Sequence, residues 1–162
     1  MADIKDPENT LIMETSKGRV VIALRPDLAP GHVARIKELA RQGFYDGIKF
    51  HRVIAGFMAQ TGDPNTKKGT SGWGTGGSGQ KLTSEFSPEK HVRGTLSMAR
   101  SSDPNSGDSQ FFICLDEAPH LNRQYTVWGS VIEGMDNIDK VEKGEPPKNP
   151  DSIVSMKIAA DA

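Results

Sequence analysis

The sequence of 162 residues predicts a mainly β fold: a closed, eight-stranded antiparallel β-barrel capped by two α-helices. Eight short apolar segments are separated by turn residues, including many of the 17 glycines. Two other segments repeat their apolar residues at helical spacing, one early and one late in the chain. Neither a linker nor an internal repeat interrupts this pattern, so we expect one domain over residues 1–162.

The predicted strands begin with a hairpin. The segments TLIMET and RVVIAL flank Ser16, Lys17 and Gly18, which are typical turn residues. Six further segments have the length and composition of strands, namely KFHRVI, FMAQTG, GTLSMA, QFFICL, YTVWGSVI and SIVSMKIAA. We expect the N-terminal and C-terminal strands to pair, because that pairing would close the barrel and remove its exposed edges.

The two predicted helices have recognisable ends. In residues 30–43, Pro30 suits the first helical turn and Gly43 suits the position after the last. In residues 134–144, Gly144 and the prolines that follow it end the helical pattern. The apolar residues that carry the helical spacing are Val33, Ile36, Ala40, Met135, Ile138 and Val141.

Composition argues against several classes of protein. The net charge is −1 and basic residues are dispersed, whereas nucleic-acid binders usually show a basic face. The clearest apolar runs, residues 20–24 and 111–115, are far shorter than the ~20 residues that span a membrane. The first ten residues lack the apolar stretch of a signal peptide, and Cys114 is the one cysteine, so we expect a cytoplasmic protein without an internal disulfide. Without coiled-coil heptads, a monomer is expected.

Residues 63–81 form a long glycine-rich segment. It matches G-x-G-x-x-G at residues 72–77 and again at 74–79. A phosphate-binding loop of this kind would open a helix, but the residues that follow lack helical spacing and include Pro88. We therefore expect a surface loop that borders a cleft.

Other catalytic chemistry has little support in the sequence. Residues 107–109, Gly-Asp-Ser, weakly resemble a serine-hydrolase motif, but no histidine is marked as the base. Cys114 lies inside the apolar run FFICL, which favours a buried, unreactive thiol. The four histidines are far apart and lack metal-ligand spacing, so neither a metal nor a cofactor is predicted.

Arg52 raises a different question. It lies in the apolar stretch FHRVIAGFMAQTGD, which contains no acidic residue before Asp63. Because arginine is rarely buried without a partner, Arg52 either faces solvent at an edge or is held in a cleft. Rotation about an X–Pro peptide bond needs no nucleophile, base or metal, although its barrier is roughly 20 kcal/mol. An arginine that donates to the proline nitrogen would stabilise the twisted amide.

Three segments closely resemble the cyclophilin family of peptidyl-prolyl isomerases: FHRVIAGFMAQTGD, GTLSMARSSDPNSGDSQFFICL and HLNRQYTVWGSVIEGMD. The resemblance extends from Leu11 to Ala159. It implies an eight-stranded barrel with two helices and a cofactor-free isomerase that assists protein folding. Its implied partners are proline-containing peptides and unfolded or flexible protein segments. Tyr125 and the long loop SSDPNSGDS are most similar to bacterial cytosolic members.

The resemblance also implies roles for individual residues. Arg52, Gln60 and Phe112 occupy the catalytic positions, with Phe112 as the floor of the proline pocket. The positions implied to bind substrate are Phe57, Met58, Ala99, Arg100, Gln110, His120, Leu121 and Tyr125. From the residues alone, ordinary core packing is the favoured explanation for Phe57, Met58, Phe112 and Leu121.

Three of these positions differ from the best-known eukaryotic pattern. Arg100 replaces an asparagine, His120 a tryptophan and Tyr125 a histidine. The change at His120 predicts that the cyclic peptide cyclosporin binds weakly. The sequence is also compatible with a second function, that of a module that binds proline-containing peptides without catalysis. An isomerisation assay on an X–Pro peptide distinguishes the two.

Overall fold

The computed structural model describes residues 6–67 and 72–162. The first five residues of the N-terminal segment and residues 68–71 of the glycine-rich segment lie outside the described residues. The strands are β1 (Thr10–Thr15), β2 (Gly18–Leu24), β3 (Arg52–Ile54), β4 (Met58–Thr61), β5 (Thr95–Met98), β6 (Phe111–Cys114), β7 (Val127–Glu133) and β8 (Ile153–Ile158). The α-helices are α1 (Pro30–Arg41) and α2 (Met135–Asp139).

All eight strands belong to one antiparallel sheet, in the order β3-β4-β6-β5-β7-β2-β1-β8. The predicted pairing of the first and last strands is confirmed, with Leu11 opposite Ile158. This pairing does not close the barrel, because β8 and β3 are the two ends of the sheet. The prediction of a closed barrel is therefore wrong, and the sheet curls into an open half-barrel.

The sequence between α2 and β8 explains why the sheet stays open. Prolines 146, 147 and 150 lie there, and proline has no N–H to donate to a strand ladder. Isolated bridges pair Lys49 with Ser152 and Val53 with Gly144. Ile153, at the start of β8, bonds to the backbone of Gly47 and Ile48, which precede β3. The Phe50 N–H also donates to the carbonyl of Asp151 at 2.8 Å. The loop thus covers the edge of β3 without continuing the sheet.

Helix α1 forms where the sequence predicts it, and Gly43, at φ 70°, follows its last turn as predicted. Its N-cap residue, Ala29, has no side chain that can cap the helix. The Glu85 carboxylate, far away in sequence, accepts hydrogen bonds from the N–H groups of Gly31 (3.1 Å) and His32 (2.8 Å) instead. A negative charge at this end of the helix also suits the helix dipole.

Helix α2 is shorter than the predicted segment 134–144. After Asp139 the chain continues in tighter turns, in which the Val141 N–H donates to the carbonyl of Ile138. The next N–H group, that of Glu142, donates to the Asp151 carboxylate at 2.8 Å, so it is not available to extend the helix. Val141 is nevertheless buried, as its helical spacing predicted.

The sheet carries apolar residues on both faces. All four residues of β6 are buried, but Phe111 and Ile113 belong to the main core, which includes Trp128. Phe112 and Cys114 point to the other face and belong to a second cluster, completed by Met58, Ala118 and Leu121. This second cluster forms the base of the candidate site.

Candidate active site

Strand register places the three predicted catalytic residues in one row. Arg52 lies opposite Gln60 across β3 and β4, and Gln60 lies opposite Phe112 across β4 and β6. Directly opposed residues of antiparallel strands point to the same face, with Cβ atoms about 5 Å apart. The local fold therefore joins a cation, an amide and an aromatic ring on one surface.

A cavity of about 130 Å³ opens on this surface. A water molecule occupies about 30 Å³ of liquid, so the cavity has room for one compact side chain. Nine of the eleven predicted site residues line it, namely Arg52, Phe57, Met58, Gln60, Ala99, Arg100, Phe112, Leu121 and Tyr125. Six of these nine residues are apolar or aromatic, and the other three add polar groups, a mixture that is common in ligand-binding pockets.

Phe112 is held in place by aromatic neighbours. Its side chain is buried, its ring stacks on His91 with centroids 6.2 Å apart, and it meets the edge of Tyr125 at 5.6 Å. The His91 Nε2 lies 2.8 Å from the Ser97 hydroxyl, and burial lowers the pKa of His91 below its usual value. Burial thus favours the neutral form of the imidazole behind Phe112. Sequence spacing gave no indication of this supporting role for His91.

Arg52 lies at the rim and has a partner that the sequence did not reveal. Its side chain is 46% exposed, and its Nε donates to the Glu145 Oε1 at 3.0 Å, across 93 positions of sequence. Its two terminal nitrogens have no acceptor among the described residues. Arg52 therefore presents unused hydrogen-bond donors at the edge of a cavity that is also lined by apolar and aromatic side chains.

Gln60 and Gln110 connect the cavity to the glycine-rich segment. The Gln60 Nε2 donates to the Gln110 Oε1 at 3.1 Å, and the Gln110 Nε2 donates to the carbonyl of Gly76 at 2.9 Å. Gln110 lines a second, larger cleft of about 430 Å³ beside the first, and so do residues 74–77 of the segment. The prediction that the segment borders a cleft is thus confirmed for its described part.

Two buried or half-buried carboxylates hold that segment in shape. Asp63 accepts hydrogen bonds from the N–H groups of Asn65, at 2.8 Å, and of Gly74. Asp108 accepts from the N–H groups of Ser78, at 2.9 Å, and Gly79, at 3.0 Å. These contacts use the glycine-rich backbone as a donor surface toward protein carboxylates, which fits a structural loop rather than a phosphate cradle.

The cavity has a second cation, Arg100, but its guanidinium is already engaged. It lies 4.6 Å above the ring centroid of Tyr125. Its Nε donates to the carbonyl of Gln124 at 2.9 Å, and its Nη1 to that of Ser101 at 3.0 Å. Arg100 therefore shapes the wall beside Tyr125 with its Nε and Nη1 engaged, whereas both terminal nitrogens of Arg52 are without an acceptor among the described residues.

His120 lies outside both cavities. It is exposed in a short 3₁₀-helix (Pro119–Leu121), and its ring centroid is 5.5 Å from that of Phe57. Leu121, the next residue, is buried and lines the small cavity. The structure thus places His120 beside the cavity wall on the solvent side.

The alternative chemistries find no support in the geometry. Cys114 is fully buried, and burial raises its pKa to about 12, which confirms the prediction of an unreactive thiol. Ser109 is also fully buried, and its hydroxyl donates to the carbonyl of Gly62.

Over residues 6–67 and 72–162, no group of three His, Cys, Asp or Glu side chains could hold a metal ion. In the same part of the chain, no helix has the length and apolar character to cross a membrane.

Comparison with known proteins agrees with this arrangement. Residues 10–158 match the sequence profile of the family described as cyclophilin type peptidyl-prolyl cis-trans isomerase/CLD. A probable peptidyl-prolyl cis-trans isomerase of Brucella suis is 54% identical, over 99% of this chain and 87% of its own. Peptidyl-prolyl cis-trans isomerase B of Bacillus subtilis is 42% identical, over 80% of this chain and 87% of its own.

Solved structures show the same fold. A cyclophilin from Hirschia baltica superposes with a TM-score of 0.86 at 35% identity, covering 97% of this chain and 76% of its own. A cyclophilin type peptidyl-prolyl cis-trans isomerase from Cryptosporidium parvum, crystallised in the presence of the dipeptide Ala-Pro, gives 0.82 at 31% identity, covering 92% of this chain and 98% of its own. Sequence profile, relatives and fold all lead to one assignment: the chain belongs to the cyclophilin-type peptidyl-prolyl cis-trans isomerases.

Proposed function

We propose that this chain isomerises X–Pro peptide bonds in one surface site, where the cavity above Phe112 holds the proline ring and Arg52 acts on the amide. The observation that carries the proposal is the row formed by Arg52, Gln60 and Phe112, in which free donors lie beside an aromatic ring in one cavity. The Ala-Pro dipeptide named for the Cryptosporidium parvum structure supports a ligand of this class.

The reaction breaks no covalent bond, so the site has to favour one geometry of the amide. Amide resonance sets a barrier of about 18–20 kcal/mol. When the bond is twisted, resonance is lost and the proline nitrogen regains a lone pair that can accept a hydrogen bond. A terminal nitrogen of Arg52 can donate to this lone pair, because the guanidinium carries N–H donors in a fixed planar arrangement. Because the planar amide offers no such acceptor, the interaction stabilises the twisted state selectively.

The apolar residues of the small cavity would orient the proline of the substrate. Phe112, Met58 and Leu121 belong to one buried cluster, against which Phe57 and Tyr125 pack. A proline ring inserted there would fix the C-terminal side of the bond while the acyl side stays free to rotate. The backbone at Ala99 and Arg100, which also lines the cavity, would bind the substrate chain.

Further properties belong to the same proposal. We expect one domain over residues 1–162, a monomer, and a cytoplasmic location in keeping with the one unpaired cysteine. Its substrates would be proline-containing peptides and unfolded or flexible protein segments, and cyclosporin would bind weakly. Binding of proline-containing peptides without catalysis is the second candidate, and the free donors of Arg52 favour catalysis over it.

The test is the Arg52→Ala variant, assayed by cis-to-trans relaxation of an X–Pro peptide. Loss of one preorganised donor typically lowers the rate by roughly 10²–10³. Arg19→Ala is the matched control, because Arg19 has a similarly exposed side chain (43%) in an ion pair with Glu14, on strands away from the cavity. If Arg52→Ala keeps its thermal transition and more than half of the wild-type kcat/KM, the role assigned to Arg52 is wrong.

A further inference from the structure

Glu145 is the described partner of the Arg52 guanidinium, and the contact is specific. The carboxylate accepts a hydrogen bond from Nε, at 3.0 Å, and not from either terminal nitrogen. The two side chains are about equally exposed, 46% for Arg52 and 56% for Glu145. An exposed ion pair with no other support would do little to fix the orientation of Arg52, because long side chains lose conformational entropy when they pair. The backbone around Glu145 changes that expectation.

The loop that carries Glu145 is fixed to the strand that carries Arg52. The Val53 N–H donates to the carbonyl of Gly144, and the Gly144 N–H donates to the carbonyl of Val53, both at 2.8 Å. Residue 145 is therefore held beside residue 52 by a two-bond backbone bridge. Gly144 has φ 149°, and a Cβ atom there would lie 2.5 Å from the Pro147 Cα, so the close turn needs glycine at this position.

The rest of the loop is also tied down. The Glu142 N–H donates to the buried Asp151 carboxylate at 2.8 Å, and the Asn149 N–H donates to the Glu142 carboxylate. The Asp151 carboxylate also accepts from the Ser16 hydroxyl at 2.7 Å, which connects the loop to the β1–β2 turn. The Glu145 carboxylate thus extends from an ordered loop rather than from a free one.

The choice of Nε matters for the chemistry. A guanidinium is a rigid plane with five N–H donors, so fixing its Nε–H fixes the direction of the four others. Arg52 lines the proline cavity, and its terminal nitrogens have no other acceptor among the described residues. We infer that Glu145 is a positioning residue for isomerisation: by holding the Nε of Arg52, it directs the terminal nitrogens toward the proline nitrogen of the substrate. This inference rests on the catalytic role proposed for Arg52.

The experiment compares Glu145→Ala with Glu145→Gln in the peptide assay. Alanine removes the acceptor, whereas the glutamine carbonyl can still accept from Nε. For Glu145→Ala we expect kcat to fall about fivefold, the size of the coupling that an exposed ion pair can supply, with KM changed by less than twofold. Glu145→Gln should keep at least half of the wild-type kcat. Glu14→Ala, which breaks the Arg19–Glu14 pair away from the cavity, should leave kcat unchanged.

A double-mutant cycle then tests whether Glu145 acts through Arg52. In the Arg52→Ala background, Glu145→Ala should produce no further loss. Equal losses in the wild-type and Arg52→Ala backgrounds, or a folded Glu145→Ala variant with wild-type kcat, would overturn the inference and leave the role of Arg52 standing. If Arg52→Ala itself keeps wild-type activity, the proposed function fails as well, so the two failures are distinguishable.

Discussion

Phe111 and Phe112 are adjacent residues of β6 whose truncation should separate stability from activity. Phe111 is fully buried in the main core, where its ring meets Trp128 at 5.2 Å and Tyr45 at 5.6 Å. Phe112 is 5% exposed, on the opposite face of the strand, and lines the small cavity. The perturbation is the same for both, replacement by alanine, so the two variants are each other's control.

The expected costs differ because the surroundings differ. Truncating a buried phenylalanine to alanine typically costs about 3–5 kcal/mol, and the cost grows with the cavity that remains. Phe111→Ala leaves a closed cavity in the main core, so we expect about 4–5 kcal/mol. Phe112→Ala enlarges a cavity that is already open to water, so we expect about 3 kcal/mol. For a chain of this size, each kcal/mol lowers the Tm by about 2–4 °C.

Activity should follow the opposite order. Phe112→Ala removes the aromatic surface on which the proline ring would lie, and aromatic anchors in such pockets carry about 2 kcal/mol or more. We therefore expect kcat/KM to fall at least tenfold in Phe112→Ala, and less than threefold in Phe111→Ala, below both thermal transitions. Equal losses of activity would refute the assignment, because they would show that a loosened sheet, not a missing floor, lowers the rate. If Phe111→Ala does not fold, Phe111→Leu serves in its place.

Two further predictions concern protons and inhibitors. Burial lowers the pKa of His32, His51 and His91 in the folded state, so below about pH 6.5 the unfolded chain binds more protons and the free energy of unfolding decreases. The Tm should therefore fall as the pH is lowered from 7.5 to 5.5, and a constant Tm would contradict this. Over pH 6 to 8, kcat/KM should stay nearly constant, because no acid or base takes part in the reaction. A bell-shaped rate profile that changes tenfold would contradict that second expectation. Cyclosporin should inhibit weakly, and at least fivefold more strongly after His120→Trp, because an indole adds apolar area and an N–H donor. Inhibition titrations with one X–Pro peptide check this, and equal constants would place His120 away from the ligand.

The local parts of the fold could be predicted from the sequence, and its closure could not. The β1–β2 hairpin and helix α1 are determined by turn residues, helix ends and apolar spacing within a few positions. Whether the sheet closes depends on how β3 and β8 meet, about a hundred residues apart. The prolines between α2 and β8 were visible as helix stops, but their effect on that edge depends on where the loop lies in space.

The same limit applies to the site. Local motifs identified Arg52, Gln60 and Phe112 by resemblance, and strand register then shows that they are neighbours. The contacts that hold them come from elsewhere in the chain: Glu145 pairs with Arg52, and His91 stacks behind Phe112. Neither residue lies in a spacing that indicates a site, so the three-dimensional structure was needed to find them.

A pocket floor and a core require the same residue types, so apolar content alone does not separate the two. In this chain the two can be distinguished by the residues that lie beside the apolar ones on the same face of a strand. In β4, Ala59 and Thr61 point to one face, whereas Met58 and Gln60 share the face that lines the cavity. On the core face, the polar Thr61 is fully buried and its hydroxyl donates to the carbonyl of Lys49, whereas Gln60 on the cavity face is only half-buried and its amide donates to Gln110. In this strand, a long polar side chain that stays half-buried beside an apolar neighbour therefore distinguishes the face that lines the cavity from the face that packs in the interior.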